Sequence, residues 1–189
     1  MSLLSIYNSS LSLVGGTLLA TISDNVRNAK LCNIHYDEAR RVALSEGEWT
    51  FATKDLELDI PLVSTPSEWG YAFQLPTDHI RLVKVKRAKY DVVTNDDGLA
   101  ILTNANPVQI KYVWDQMNDI LWSPFFTQAV IHKLASLICN AIAESRTLKQ
   151  DLDDGYRSAI NDARASDGRQ QMTQRTKSDT FINVRGGAR

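Results

Sequence analysis

The spacing of apolar residues changes period twice along this chain, and few folds accommodate that. Up to about residue 47 they recur at steps of three and four, from about 58 to 115 they alternate, and from Pro124 the three-four step returns. The middle pattern does not suit a helix and the outer two do not suit strands, so a small antiparallel β element is expected between two helical halves. The expected class is α+β: a bundle of about four helices, the inserted β element and an extended C-terminal arm. The corresponding segments are 1–57, 58–116, 117–167 and 168–189.

In the first half, Leu3, Leu4, Ile6, Leu11 and Leu13 predict a short helix over residues 3 to 14, stopped by Gly15-Gly16. Ser23 or Asp24 is the expected N-cap of a second helix, on which Ala29, Cys32, Tyr36, Ala39 and Ala43 share one small-residue face. That helix should end before Gly47, with Trp49, Phe51 and Leu56 pinning the next segment onto the bundle.

Ile60-Pro61 and Thr65-Pro66 hold the residue before each proline extended. The run from Trp69 to Val85 reads as an aromatic-rich strand broken at Pro76 and resumed near Ile80, with Val83 and Val85 alternating with Lys84 and Lys86. Tyr90–Thr94 and Leu99–Thr103 flank Asn95-Asp96-Asp97-Gly98, a hairpin signal because glycine accepts positive φ. Val108, Ile110, Tyr112 and Trp114 alternate with Gln109 and Lys111 as in a half-buried strand.

Ser123-Pro124 predicts a capped helix start, and the helix that follows, apolar around much of its circumference, should be the most buried of the set. A last helix over about Leu148–Ala165 carries Leu152, Tyr156, Ala159 and Ala163 on one face, with a break possible at Gly155. Beyond Gly168 the composition turns polar, with Phe181, Ile182 and Val184 forming a short apolar patch that reads as a docking arm.

Charge narrows the functional classes. With 21 Lys plus Arg against 22 Asp plus Glu the net charge is -1, which removes bulk electrostatics as a basis for tight nucleic-acid binding. The two cysteines, Cys32 and Cys139, sit among apolar helix positions and read as reduced core thiols. The N-terminal residues lack the pattern of a secretion signal and no run reads as a membrane span, so a soluble protein assembled in the cytoplasm is expected.

No catalytic or metal motif is legible. His35, His79 and His132 fall on three different elements without ligand spacing, so neither a metal nor another cofactor is expected. Glu46, Glu48 and Asp55 bracket Trp49 and supply the residue types of a glycosidase pair, which gives a peptidoglycan hydrolase using Glu46 or Glu48 as one alternative. Asp151, Asp153 and Asp154 read as acids in a helix's first turn, favoured there by the macrodipole. Lys84, Lys86, Arg87 and Lys89 form the densest basic run, and a small DNA-binding packaging factor is the second alternative.

Three stretches in order resemble a known family. They are Asn8-Ser-Ser-Leu-Ser-Leu-Val-Gly-Gly16 with Ile22-Ser-Asp24, Ala29, Cys32, Tyr36, Arg40, Leu44 and Trp49-Thr-Phe-Ala52; then Tyr71-Ala-Phe-Gln-Leu-Pro-Thr-Asp78 with Ile80-Arg-Leu82; then Tyr112, Pro124-Phe-Phe126, Ala129, Tyr156, Ala159 and Ala163-Arg-Ala-Ser-Asp167. Together they are similar to the head-to-tail adaptors of short-tailed bacteriophages, the tail tubular protein A type and related head-completion connectors.

The resemblance implies a non-enzymatic structural protein of the virion, placed at the head-tail junction. Its subunits would form a ring, dodecameric in that family, beneath the portal protein, extend the DNA channel and present a surface to the tail nozzle. Carried over residue by residue, Thr180, Phe181, Ile182, Val184 and Arg185 would contact the portal, and Tyr71, Phe73, Asn95, Asp97 and Gly98 would lie on a tail-facing β element. The small faces at Ala29, Tyr36, Ala39 and Ala43 and at Tyr156, Ala159 and Ala163 suit close packing between subunits. A channel that lets DNA pass should not grip it, and the balanced charge agrees with that.

Overall fold

The structure, a computed structural model, describes residues 2–62 and 68–175, with side chains described as far as Arg169. It contains four helices, α1 (Leu3–Leu13), α2 (Arg27–Ser45), α3 (Pro124–Ile142) and α4 (Arg146–Arg175). Among the described residues, six strands lie between α2 and α3. They are β1 (Thr53–Leu58), β2 (Tyr71–Gln74), β3 (His79–Lys86), β4 (Tyr90–Asn95), β5 (Gly98–Thr103) and β6 (Val108–Trp114). The class is α+β, and contacts divide the chain into a helical unit, ending at Thr50 and resuming at Asn118, and a β unit, Phe51–Met117.

Helix α1 stops where the glycine pair predicts. Gly15 takes φ +70°, which lets the Gly16 N–H reach the Leu11 carbonyl at 2.8 Å and the Gly15 N–H reach Ser12 at 3.3 Å. The expected cap of α2 is corrected. Asp24 spends its carboxylate backwards, accepting from the Ala20 and Thr21 N–H groups at 3.0 Å and from the Thr21 hydroxyl at 2.7 Å. It closes the preceding loop, and α2 begins after Val26 without a side-chain cap.

Helix α3 is the centre of its unit, packed against α1, α2 and α4. Its start is as predicted: Pro124 occupies the first turn and the Ser123 hydroxyl accepts from the Phe126 N–H at 3.2 Å. Helix α3 is long and apolar enough to cross a membrane, but α1, α2 and α4 bury much of it. Trp49 is buried against Phe126, ring centroids 5.0 Å apart, with its indole N–H directed at the Ala43 and Leu44 carbonyls. Leu56, expected as a companion anchor, instead lies exposed on β1.

The last helix differs most from expectation. It begins at Arg146, is unbroken at Gly155 and passes through Gly168 to Arg175, so the boundaries at 165 and 168 move. Gly155 permits a close approach of the two helices: a Cβ there would stand 2.7 Å from His132 Nδ1 on α3. Residues 176–189, the rest of the expected arm, lie outside the described residues.

The β unit is two three-stranded antiparallel sheets, ordered β1-β6-β3 and β2-β5-β4. The break at Pro76 therefore separates strands of different sheets. Phe73, Leu75 and Ile101 from the second sheet and its following turn meet Val85, Val108, Ile110 and Tyr112 from the first in one core. Strand β1 was expected to be part of the helical half; its Lys54, Leu56 and Leu58 pair with Tyr112, Ile110 and Val108 on β6. The hairpin joins Asn95 to Gly98, and Gly98 takes the positive φ, +120°.

Candidate functional site

The small helix faces expected to meet neighbouring subunits are used inside the chain. Ala29, Tyr36, Ala39, Ala43, Tyr156 and Ala163 are buried in the helical unit, and Ala159 is half-buried. This corrects the assignment. Small side chains let α2 and α4 approach α3 closely, and that approach already covers them. Tyr7 and Tyr36 meet edge to face at 5.6 Å in the same packing, and burial pushes the Tyr36 phenol up to about 12.

In the β unit, Phe73 is core, Tyr71 packs beside it, and Asn95, Asp97 and Gly98 form the tip of the β4–β5 hairpin. Gln74 holds that tip: its carboxamide accepts from Asn95 at 2.8 Å and donates to the Asp97 and Leu99 carbonyls at 3.1 Å. Tyr71 and Phe73 are thus structural, while Asp97 and Gly98 are exposed at a tip that Gln74 ties down. Thr180, Phe181, Ile182, Val184 and Arg185 lie outside the described residues.

Of the carboxylates considered for hydrolysis, Glu46 and Asp55 each carry a cationic partner. Glu46 is held by Arg164, whose guanidinium reaches the Glu46 carboxylate at 2.6 Å and, through Nε, its carbonyl at 2.8 Å. This contact tethers the end of α2 to α4. Asp55 lies on β1, where the Lys86 ammonium sits 3.0 Å away. Asp153 accepts from the Ser136 hydroxyl on α3 at 2.5 Å, and Asp154 pairs with Arg157 at 3.2 Å. Because α4 starts at Arg146, with the Ser145 hydroxyl accepting from the Leu148 N–H, these acids fall beyond its first turn, which corrects the macrodipole reading.

The basic run is tempered by its own sheet. Lys84 and Lys86 share a face of β3, with Lys84 opposite Lys111 and Lys86 opposite Gln109 on β6. Beyond them β1 supplies Asp55 for Lys86 and Glu57 for Gln109, the latter at 2.9 Å. Acids along the β1 edge thus stand beside the lysines of this face and weaken the positive charge it presents. Among the described residues no cluster of three His, Cys, Asp or Glu side chains could hold a metal.

Two constellations were not anticipated. At one end of the first sheet, Asp78 accepts from Lys54 at 3.0 Å and from the Tyr112 hydroxyl at 3.2 Å, while the Lys54 ammonium lies 3.5 Å from the Trp114 ring centroid. Burial first, and the Asp78 charge second, push the Tyr112 phenol up to about 12. The members come from β1, β6 and the turn after Pro76, a juxtaposition that no local pattern announces.

The second is an apolar cleft of about 280 Å³ on the helical unit, lined by Ile120, Trp122, Pro124, Phe125, Thr127 and Gln128 with Asp119 at its margin. Ile120 is 78% exposed, neighbouring Leu121 54% and Phe125 45%, a cluster rather than scattered surface apolars. The crowding of large apolar residues in Ile120-Leu-Trp-Ser-Pro-Phe-Phe126 was its signal in the sequence. A scan against protein-family models finds no match for the chain, and neither does a comparison with curated proteins.

Proposed function

We propose that this chain is a structural connector: a head-to-tail adaptor whose subunits form a ring under a phage portal, continue the DNA channel and receive the tail nozzle. The observation that carries the reading is a four-helix unit interrupted, between its second and third helices, by one β unit with a core of its own. That arrangement is the one the resemblance implies. Each bundle helix packs on α3, which gives the unit a stiff wall, and the rigid β4–β5 tip is the part offered to the next tail component. Ring contacts must fall on surfaces other than the small helix faces, since those are already covered.

The charge pattern supports passage rather than capture of DNA. Lys86 is matched by Asp55 on the same sheet face, and the whole chain carries a net charge of -1. A phosphate approaching Lys86 would have to compete with the carboxylate already beside it.

Electron microscopy of the protein incubated with portal rings tests the proposal. The expected image is a second ring stacked on the portal with a continuous axial channel. Portal rings that stay bare at saturating protein, with no co-sedimentation, would sink it. Replacing Glu46 and Glu48 by Gln should leave ring stacking intact, and DNA binding near physiological salt should be undetectable.

A further inference from the structure

The two sheets end in four strand edges, and three of these carry features that discourage further pairing. On the first sheet, β3 has register shifts between His79 and Arg81 and between Leu82 and Lys84, and β1 sets Lys54, Asp55 and Glu57 along its length. On the second, the Ala72 carbonyl of edge strand β2 already accepts from the Leu62 N–H at 2.7 Å. The β4 edge differs. Tyr90–Asn95 pair with β5 in unbroken register, and Asp91 is the strand's one charged residue.

The register also says which backbone groups of β4 are free. The Leu99 carbonyl accepts from the Leu75 N–H at 2.9 Å, so Leu99 turns its backbone groups toward β2 and away from Thr94, its partner on β4. By alternation Asp91, Val93 and Asn95 bond to β5, while Tyr90, Val92 and Thr94 each direct an N–H and a C=O outward. Among the described residues nothing meets these outward groups. The side chains are left open on the same edge. Val92 stands opposite Ile101, which stands opposite Phe73, and cross-strand partners share a face. Ile101 and Phe73 are fully buried, yet Val92 is 48% exposed and Tyr90 39%. The inner face of the second sheet thus runs one strand past its cover.

Free backbone groups along an extended strand are matched by another extended strand, and the flanking charges say which one. Arg87 and Lys89 precede β4, and Asp96 and Asp97 follow it. When two β4 strands lie antiparallel, the basic end of each meets the acidic end of the other; a parallel arrangement would set like charges together. Centred on Val93, the antiparallel pair places Val92 of one copy opposite Thr94 of the other, and Lys89 opposite Asp97. We infer that two copies of this chain pair antiparallel through their β4 edges, joining their second sheets into one continuous sheet. The contact belongs to the protein free in solution and does not rest on the connector reading, since a two-fold contact closes at two copies whereas a ring needs a head-to-tail one. A contact one short strand long is at the small end of specific interfaces, so the dimer should form and dissociate with concentration.

Amide exchange resolved residue by residue on the full-length protein, followed across concentration alongside sedimentation, tests this. In dilute, monomeric protein the Val92 and Thr94 N–H groups should exchange freely while Val93 is protected; in concentrated, dimeric protein both should slow by about tenfold or more. Protection of Val92 and Thr94 at every concentration would assign the edge to a segment of the same chain and overturn the inference. A dimer that leaves them unprotected, or a protein that stays monomeric throughout, would overturn it as well. Val92→Lys puts a charge on the pairing edge at an already half-exposed position and should abolish the dimer. Asp97→Lys should weaken dimerisation, and Lys89→Asp combined with Asp97→Lys should restore it, because the facing pair is again opposite in sign. A double variant no stronger than the single one would overturn the antiparallel pairing.

Discussion

Gly155 is small because His132 lies where its β-carbon would be. An alanine in mid-helix ordinarily gains ~1 kcal/mol over glycine, but overpacking of a fitted contact costs about 1–3 kcal/mol, so Gly155→Ala should lower stability in urea unfolding. In a His132→Ala background the same change should be neutral or stabilising. Equal effects in both backgrounds would show that the contact does not matter. His132 also carries a pH dependence. Burial holds its pKa below the usual 6.5, and its Nδ1 has no hydrogen-bond partner among the described residues. The folded state prefers the neutral ring while the unfolded chain takes up a proton near 6.5, so this part of the stability is complete above about pH 6.5 and is lost as pH falls below it. His132→Asn should flatten the slope of stability against pH in that range; an unchanged slope would place the dependence elsewhere. A glycine inside a helical pattern is legible in sequence only as a weakness, because the histidine that explains it sits 23 positions away on another helix.

Asp78 joins strand to strand, and its loss belongs to the element scale. Asp78→Ala removes the partner of both Lys54 and the Tyr112 hydroxyl. Since the carboxylate and ammonium are each more than a third exposed, solvent screening limits the cost to about 1 kcal/mol, with Tyr112→Phe costing less. Gly98→Ala forces an L side chain to φ +120° at the hairpin tip and should cost about 1–3 kcal/mol, seen as faster amide exchange across β4 and β5. Exchange rates identical to the parent would refute the strain. The elements most legible in the sequence were those written in local chemistry: Gly15 at the end of α1, Ser123-Pro124 at the start of α3, Gly98 in the hairpin. Asp24 misled because a carboxylate can satisfy N–H groups behind it as well as ahead of it. Strand β1 went unread although Lys54, Leu56 and Leu58 alternate with Asp55 and Glu57, because a lysine among the alternating positions disguises the pattern until Asp78 and Trp114 supply its partners. The division into two sheets was not legible at all, since it depends on pairing across distant segments.

Each unit of the whole molecule has its own core, so damage should stay where it is made. Phe73→Ala, a fully buried truncation, should cost about 3–5 kcal/mol and release amide protection through β2–β6 while α3 keeps its slow exchange. Simultaneous loss in α3 would mean that the units unfold as one. The candidate site was half legible at this scale: the cleft residues are contiguous in sequence, yet their exposure depends on how α3 packs among the other helices. The same order of helices has a consequence for biosynthesis. Helix α3 is apolar enough to pass for a membrane span, and α4, the 30-residue helix packed against it, is translated after it. At roughly 5–20 residues per second, a ribosome leaves α3 without that cover for a few seconds. Products truncated before Arg146 should therefore be held by chaperones or recovered with membranes, whereas a chain that includes α4 covers much of the segment that would send it there.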